Sequence, residues 1–185
     1  MKDNFGTVLE YVLSGNAIVF IGSGASSEMG YPSWMEQLLL IEELAKNKHM
    51  ELSEEYQEYK RHNQIPQAFE YLEDRIGRES LLKTLSDTLV PKFPSEDTIY
   101  NVLTKWPFQV YLTTNFDNEI ISHLEANGRI GFSTLGNSKA EFSALTPDVR
   151  EYVVKIHGEL MPGKGAVVTD RDYDEFKVGE SRGYY

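Results

Sequence analysis

The sequence predicts a three-layer α/β fold, a parallel sheet covered by helices. Two observations carry that prediction. Short apolar runs alternate with stretches of helical spacing along the chain. The runs are continuously apolar rather than alternating, which is the pattern of strands buried on both faces of a parallel sheet. Size agrees: 185 residues, 41% apolar and 25% charged, make one ordinary domain. A domain of ~150 residues already buries ~70% of its unfolded surface.

Each element follows in order. Phe5, Val8, Leu9 and Val12 recur at helical spacing within Asn4 to Leu13, and Gly15-Asn16 ends that helix. Ala17-Ile18-Val19-Phe20-Ile21 is the first strand, expected to be buried on both faces. A small-residue stretch from Gly22 to Gly30 leads into a helix from Trp34 to about Lys48. Residues 51 to 104 read as helical and polar, an inserted subdomain or cap. Within them Pro66 suits the first turn of a helix running through Phe69 and Leu72 to Ile76. Leu81, Leu82, Leu85 and Leu89 form the next apolar face, ended by Pro91 and Pro94. Ile99, Val102 and Leu103 start a short helix that stops before Pro107. Phe108 to Thr113 is the second strand, followed past Asp117 by a helix to about Asn127. Tyr152 to Ile156 is the third strand and Ala166 to Thr169 the fourth. Only Asp170 to Tyr185 follow, where a doubly wound sheet has six strands. The chain therefore reads as a single domain, 1–185, short of its last one or two strands.

Composition narrows the function classes. Eighteen Lys and Arg against 29 Asp and Glu give a net charge of −11, which disfavours nucleic-acid partners. Cysteine is absent, so disulfides, a thiol nucleophile and thiolate zinc sites are excluded. The run Ala17 to Ile21 is far shorter than the ~20 residues of a spanning helix, and no export signal is visible. A cytoplasmic protein without a membrane partner is expected.

Three places have the residue types for chemistry. At Gly22-Ser23-Gly24, a strand turns into a helix, and glycines there let backbone amides approach a pyrophosphate without Lys or Arg. A tight turn of small residues explains the same pattern, and the spacing Gly22, Gly24, Gly30 is not G-x-G-x-x-G. Thr113-Thr114-Asn115-Phe116-Asp117 closes the second strand, where open parallel sheets bind ligands. Asp117 reads there first as a helix cap, and Asn115 stays undecided. His157, beside Gly158 at the end of the third strand, suits proton transfer near neutral pH or a structural role. His49, His62 and His123 read as surface residues, and Glu51, Glu54, Glu55 and Glu58 as a solvated face. No metal motif and no Walker-type phosphate loop is present.

Together and in order, these stretches resemble the sirtuin-like superfamily, named after silent information regulator 2. Phe20 to Trp34 is similar to its Gly-Ala-Gly-x-Ser-x-x-x-Gly-x-Pro loop. Thr113-Thr114-Asn115-Phe116-Asp117 is similar to its Thr-Gln-Asn-x-Asp segment, and Ile156-His157-Gly158 to Leu-His-Gly. Val167 to Tyr173 is similar to the strand and Tyr-bearing turn that follow in the bacterial branch. The chain lacks the four Cys of the deacetylase zinc ribbon, and Ser33-Trp34-Met35 replaces Asp-Phe-Arg. It therefore resembles the bacterial sirtuin-like NAD-degrading domains of anti-phage defence. That resemblance implies a Rossmann-like fold and an NAD⁺ glycohydrolase with NAD⁺ as substrate and no zinc. It implies catalytic roles for Asn115 and His157. It implies binding roles for Gly22, Ser23, Gly24, Ser26, Pro32, Trp34, Thr114 and Asp117, with Asp117 on the nicotinamide amide. It also implies a homo-oligomer or a partner effector or sensor protein. Such domains carry a Gly-x-Ser element further on that holds the adenosine ribose. A reading from another class is a non-catalytic NAD- or ADP-ribose-binding module of a larger assembly.

Overall fold

Four short segments pair in parallel: β1 (Ile18–Ile21), β2 (Val110–Thr113), β3 (Ser133–Leu135) and β4 (Tyr152–Lys155), in the order β1-β2-β4-β3. The computed structural model describes residues 4–90, 96–143 and 151–181. A mixed α/β fold on an all-parallel sheet is the Rossmann-like class that the sequence predicts. The chain divides into two compact units, Met1–Tyr31 with Pro91–Glu159, and Pro32–Val90 with Leu160–Tyr185. Among the described residues no helix is long and apolar enough to cross a membrane.

The first unit holds the sheet with α1 (Asn4–Leu13), α2 (Ser23–Ser27), α7 (Ile99–Lys105), α8 (Glu119–Ala126) and α9 (Lys139–Ser143). One face of the sheet buries Ile21, Tyr111 and Val153 against Val12, Tyr100, Ile120 and Leu124. The other face carries a smaller cluster of Leu135, Tyr152 and Val154, with Leu112 against it. Arg129 organises the entry into β2. Its guanidinium donates to the carbonyls of Thr104 (3.2 Å), Trp106 (2.7 Å) and Phe108 (2.6 Å) and to the Tyr111 hydroxyl (3.0 Å). It also lies 4.9 Å from the Phe132 ring centroid. The backbone groups of the turn before β2 are thus satisfied by one side chain.

The second unit is helical: α3 (Trp34–Asn47), α4 (Glu54–Arg61), α5 (Ile65–Ile76), α6 (Arg78–Thr88) and α10 (Asp170–Ser181). Ser33 and Glu36 form a reciprocal capping box that starts α3. Leu38, Ile41, Phe69, Leu72, Leu81 and Leu85 are fully buried among these helices. Glu42 is buried with them. Burial alone raises its pKa, but bonds from Lys46 (2.5 Å), Lys60 (2.7 Å) and the Tyr56 hydroxyl (2.8 Å) outweigh that and hold it below the usual range.

Four expectations need correction. Ala166 to Thr169 is buried but is not a strand. Asp172 accepts from the amides of Val168 and Thr169 (both 2.9 Å), and Arg78 donates to the Ala166 carbonyl at 2.6 Å. Side chains take the groups that a ladder would use. The Tyr-bearing stretch is accordingly the start of α10. β3 was not foreseen, since Ser133-Thr134-Leu135 has neither length nor an apolar run. β1 is not buried on both faces, because Ile18 and Phe20 are 60% and 62% exposed. His123 is not a surface residue: it is 1% exposed, on the inward stripe of α8 with Ile120 and Leu124. The expected stop at Pro91 and Pro94 lies outside the described residues.

Replacing Arg129 with Ala orphans several buried carbonyls. The expected loss is about 2–3 kcal/mol, measured by urea unfolding, with Lys restoring only part of it because an ammonium cannot span these acceptors.

Candidate functional site

The register aligns Ile21 of β1 with Thr113 of β2, and Thr113 with Lys155 of β4. All three strands run the same way, so Gly22, Thr114-Asn115 and Ile156-His157 leave the sheet along one edge. Side chains extend this ladder. Thr113 Oγ1 donates to the Ile21 carbonyl (3.0 Å) and accepts from the Asn115 amide (3.0 Å), while the Ile156 amide donates to the Thr113 carbonyl (2.8 Å).

Behind that edge lies a closed polar network. Asn115 Nδ2 donates to the Gly22 carbonyl (3.0 Å) and to Ser26 Oγ (2.8 Å), with Tyr100 Oη also at 3.1 Å. Ser26 Oγ donates to Asp117 Oδ2 at 2.6 Å. A serine has one proton and a carboxylate only accepts, so the 2.8 Å Tyr100–Ser26 bond has Tyr100 as donor. Asp117 Oδ1 accepts from the Glu119 amide (3.0 Å) at the start of α8, which is the capping geometry. Burial first, and then the Asp117 charge, push the Tyr100 phenol up to about 12, so it stays a donor at neutral pH.

The network orients Asn115. A carbonyl can only accept, so the nitrogen of the side-chain amide must face Gly22. The Asn115 Oδ1 atom is then the acceptor that the side chain offers beyond the network. His157 stands on the turn after β4. Burial lowers its pKa below the ordinary histidine value, so the imidazole is neutral at pH 7. Its ring lies 6.4 Å from that of Phe116. Gly158 closes the turn with φ +69° and donates its amide to the Lys155 carbonyl at 2.9 Å.

The glycines of the first loop are instructive. Gly22 has an ordinary backbone conformation (φ −108°, ψ −177°), and Gly24 has no positive φ. A Cβ at either would meet nothing within 4 Å. Neither turn geometry nor internal packing requires glycine there. The bare backbone there leaves open space beside the loop.

The first unit thus gathers Gly22, Ser23, Gly24, Ser26, Thr114, Asn115, Asp117 and His157. Ser26 and Asp117 spend their polar atoms inside the network. Pro32 and Trp34 belong to the second unit, where Trp34 packs its ring edge-on against Phe69 at 5.6 Å. Sequence reasoning missed Tyr100 and Thr113 as supports of Asn115. Among the described residues no group of three or more His, Asp and Glu is placed to hold a metal ion.

These features define an α/β domain with a candidate site at the carboxyl ends of its parallel strands. Residues 109–185 match the family model of the SIR2-like domain. Curated relatives named NAD(+) hydrolase ThsA match most of the chain. That of Acinetobacter baumannii is 26% identical over 164 residues, 88% of this chain and 31% of the relative. That of Bacillus cereus is 25% identical over 174 residues, 90% and 33%. That of Enterococcus faecium is 27% identical over 172 residues, 90% and 33%. The chain spans about a third of the length of the curated relatives it matches.

Tyr100→Phe keeps the ring on His123 but removes one donor to Ser26. The expected cost is about 1–2 kcal/mol of stability, read by denaturant unfolding. Nuclear magnetic resonance is expected to show shifted side-chain amide signals of Asn115.

Proposed function

We propose that the protein hydrolyses NAD⁺ at the nicotinamide–ribose bond. Water and NAD⁺ give ADP-ribose, nicotinamide and a proton. The observation that carries this reading is Asn115, anchored through its side-chain nitrogen at the edge that also bears the bare glycine loop and His157. The names of the relatives support the same substrate.

The cationic pyridinium leaves as a neutral base, and positive charge builds on the ribose carbon. Asn115 Oδ1 holds the attacking water or a ribose hydroxyl in line. Neutral His157 takes the proton from that water or hydroxyl. The amides of Ser23 and Gly24, with no intrahelical acceptor at the start of α2, receive the diphosphate, and Thr114 lines the ribose. Ser26 and Asp117 act through Asn115. Pro32 and Trp34 are given binding roles on the resemblance alone. The absence of cysteine removes the four-Cys zinc ribbon that deacetylases of the resembled superfamily carry. The protein works as a single-domain unit of a homo-oligomer or beside an effector or sensor partner, in anti-phage defence within the cytoplasm. That placement rests on the motif resemblance. Plating efficiency of phage on cells that express the gene tests it.

Chromatography of NAD⁺ incubated with the chain tests the chemistry. Nicotinamide release is expected, reduced ~10²–10⁴-fold in His157→Ala and abolished in Asn115→Ala. NAD⁺ binding without product in the wild type would overturn hydrolysis and leave a binding module.

The pH profile follows from His157. Its pKa is lowered, so the neutral base persists as pH falls through 6.5. The acid limb of kcat/KM is expected to have its midpoint below 6.5. A midpoint above 6.5 would remove His157 as the base.

A further inference from the structure

Lys155 is the one ammonium in the apolar strand Tyr152-Val153-Val154-Lys155 and is 3% exposed. A buried cation is costly, and an apolar side chain of similar volume commonly serves stability as well or better. Burial lowers its pKa, against the opposing fields of Glu159 and Asp117. Its Nζ donates to the Phe116 carbonyl at 3.0 Å and to Asn118 Oδ1 at 2.6 Å. Those two acceptors bracket Asp117, and Phe116 immediately follows Asn115. The Lys155 carbonyl accepts from the Gly158 amide (2.9 Å), closing the turn that carries His157. One residue therefore holds both loops, one with its side chain and the other with its backbone.

We propose that Lys155 is a positioning residue for the hydrolysis, tying the Asn115 loop to the strand that presents His157. This rests on the reading of the site as an NAD⁺ hydrolase. Lys155 touches no reacting atom. It acts by fixing the Phe116–Asp117 peptide, and with it the direction of Asn115. A stabilising role alone could be filled by Val or Met. Gripping a carbonyl and an amide oxygen together needs several donors on one buried atom.

The test compares the wild-type chain with Lys155→Met and Asn118→Ala. Asn118 is exposed, so its truncation removes one acceptor without opening the core and carries the test if Lys155→Met does not fold. Hydrogen exchange and nicotinamide release are measured on each. Faster amide exchange is expected at residues 114–119, with 110–113 and 152–155 still protected. A fall in kcat on the order of 10²-fold with little change in KM is expected for Lys155→Met, and a smaller fall for Asn118→Ala. The chain has no cysteine, so Lys155→Cys can be aminoethylated at that position alone during unfolding and refolded beside a wild-type control. Restoring the amine in this way is expected to restore both readouts. Unchanged exchange at 114–119, or undiminished kcat in a variant whose loop has loosened, overturns the role of Lys155 alone. A wild-type chain that binds no NAD⁺ and releases no nicotinamide overturns the hydrolase reading and this role with it.

Discussion

The parallel pairing of β1, β2 and β4 is the constraint on which the rest depends. It sets Ile21, Thr113 and Lys155 side by side, so the residues after each strand emerge at one edge. An antiparallel β2 would carry Asn115 to the far end of the sheet. A one-residue slip would turn Tyr111 and Val153 out of the core and reverse every side chain on the strand. The large apolar cluster thereby enforces the register of the polar site. Tyr111, wholly buried, fixes the strand on which Thr113 and Asn115 follow.

The polar network obeys a strict count. The Asn115 amide has two protons, the Ser26 hydroxyl one and the Tyr100 hydroxyl one, and the acceptors are the Gly22 carbonyl, Ser26 Oγ and Asp117. Each proton has an acceptor in a fixed direction, ending on a carboxylate. A buried network of this kind rigidifies when complete and is costly when a member is lost. Tyr100 enters from α7, within the polar helical stretch whose purpose is silent in the sequence. Part of that stretch is therefore structural support for the strand-end loops.

β1, β2, β4 and most of the helices around them were legible because hydrophobic periodicity and turn residues are local signals, whereas Ser133-Thr134-Leu135 offers neither. Tyr100 was not, because its bond to Ser26 spans 74 positions and leaves no local pattern. Ala166 to Thr169 misled because burial and apolar composition are shared by strands and by side-chain-capped coil. His123 was legible in principle, since Ile120, His123 and Leu124 fall on one helical stripe. Lys155 carried the plainest signal of all, a charge inside an apolar strand, and only the distances to Phe116 and Asn118 show what it holds.

The division of labour between Asn115 and Asp117 follows from charge. In the proposed reaction a positive charge moves from the pyridinium nitrogen to the ribose carbon. A carboxylate at that carbon would stabilise the charge but would also compete with water as a nucleophile. Here the carboxylate is set back. Asp117 is satisfied by the Ser26 hydroxyl and the Glu119 amide, and the ammonium of Lys155 offsets its field. The group left for the proposed reaction is the neutral amide oxygen of Asn115, which accepts a hydrogen bond and attracts positive charge without forming a covalent intermediate. His157, kept neutral by burial, adds a base and no opposing cation. For the proposed reaction, the arrangement favours a short-lived oxocarbenium met by water over a trapped glycosyl enzyme.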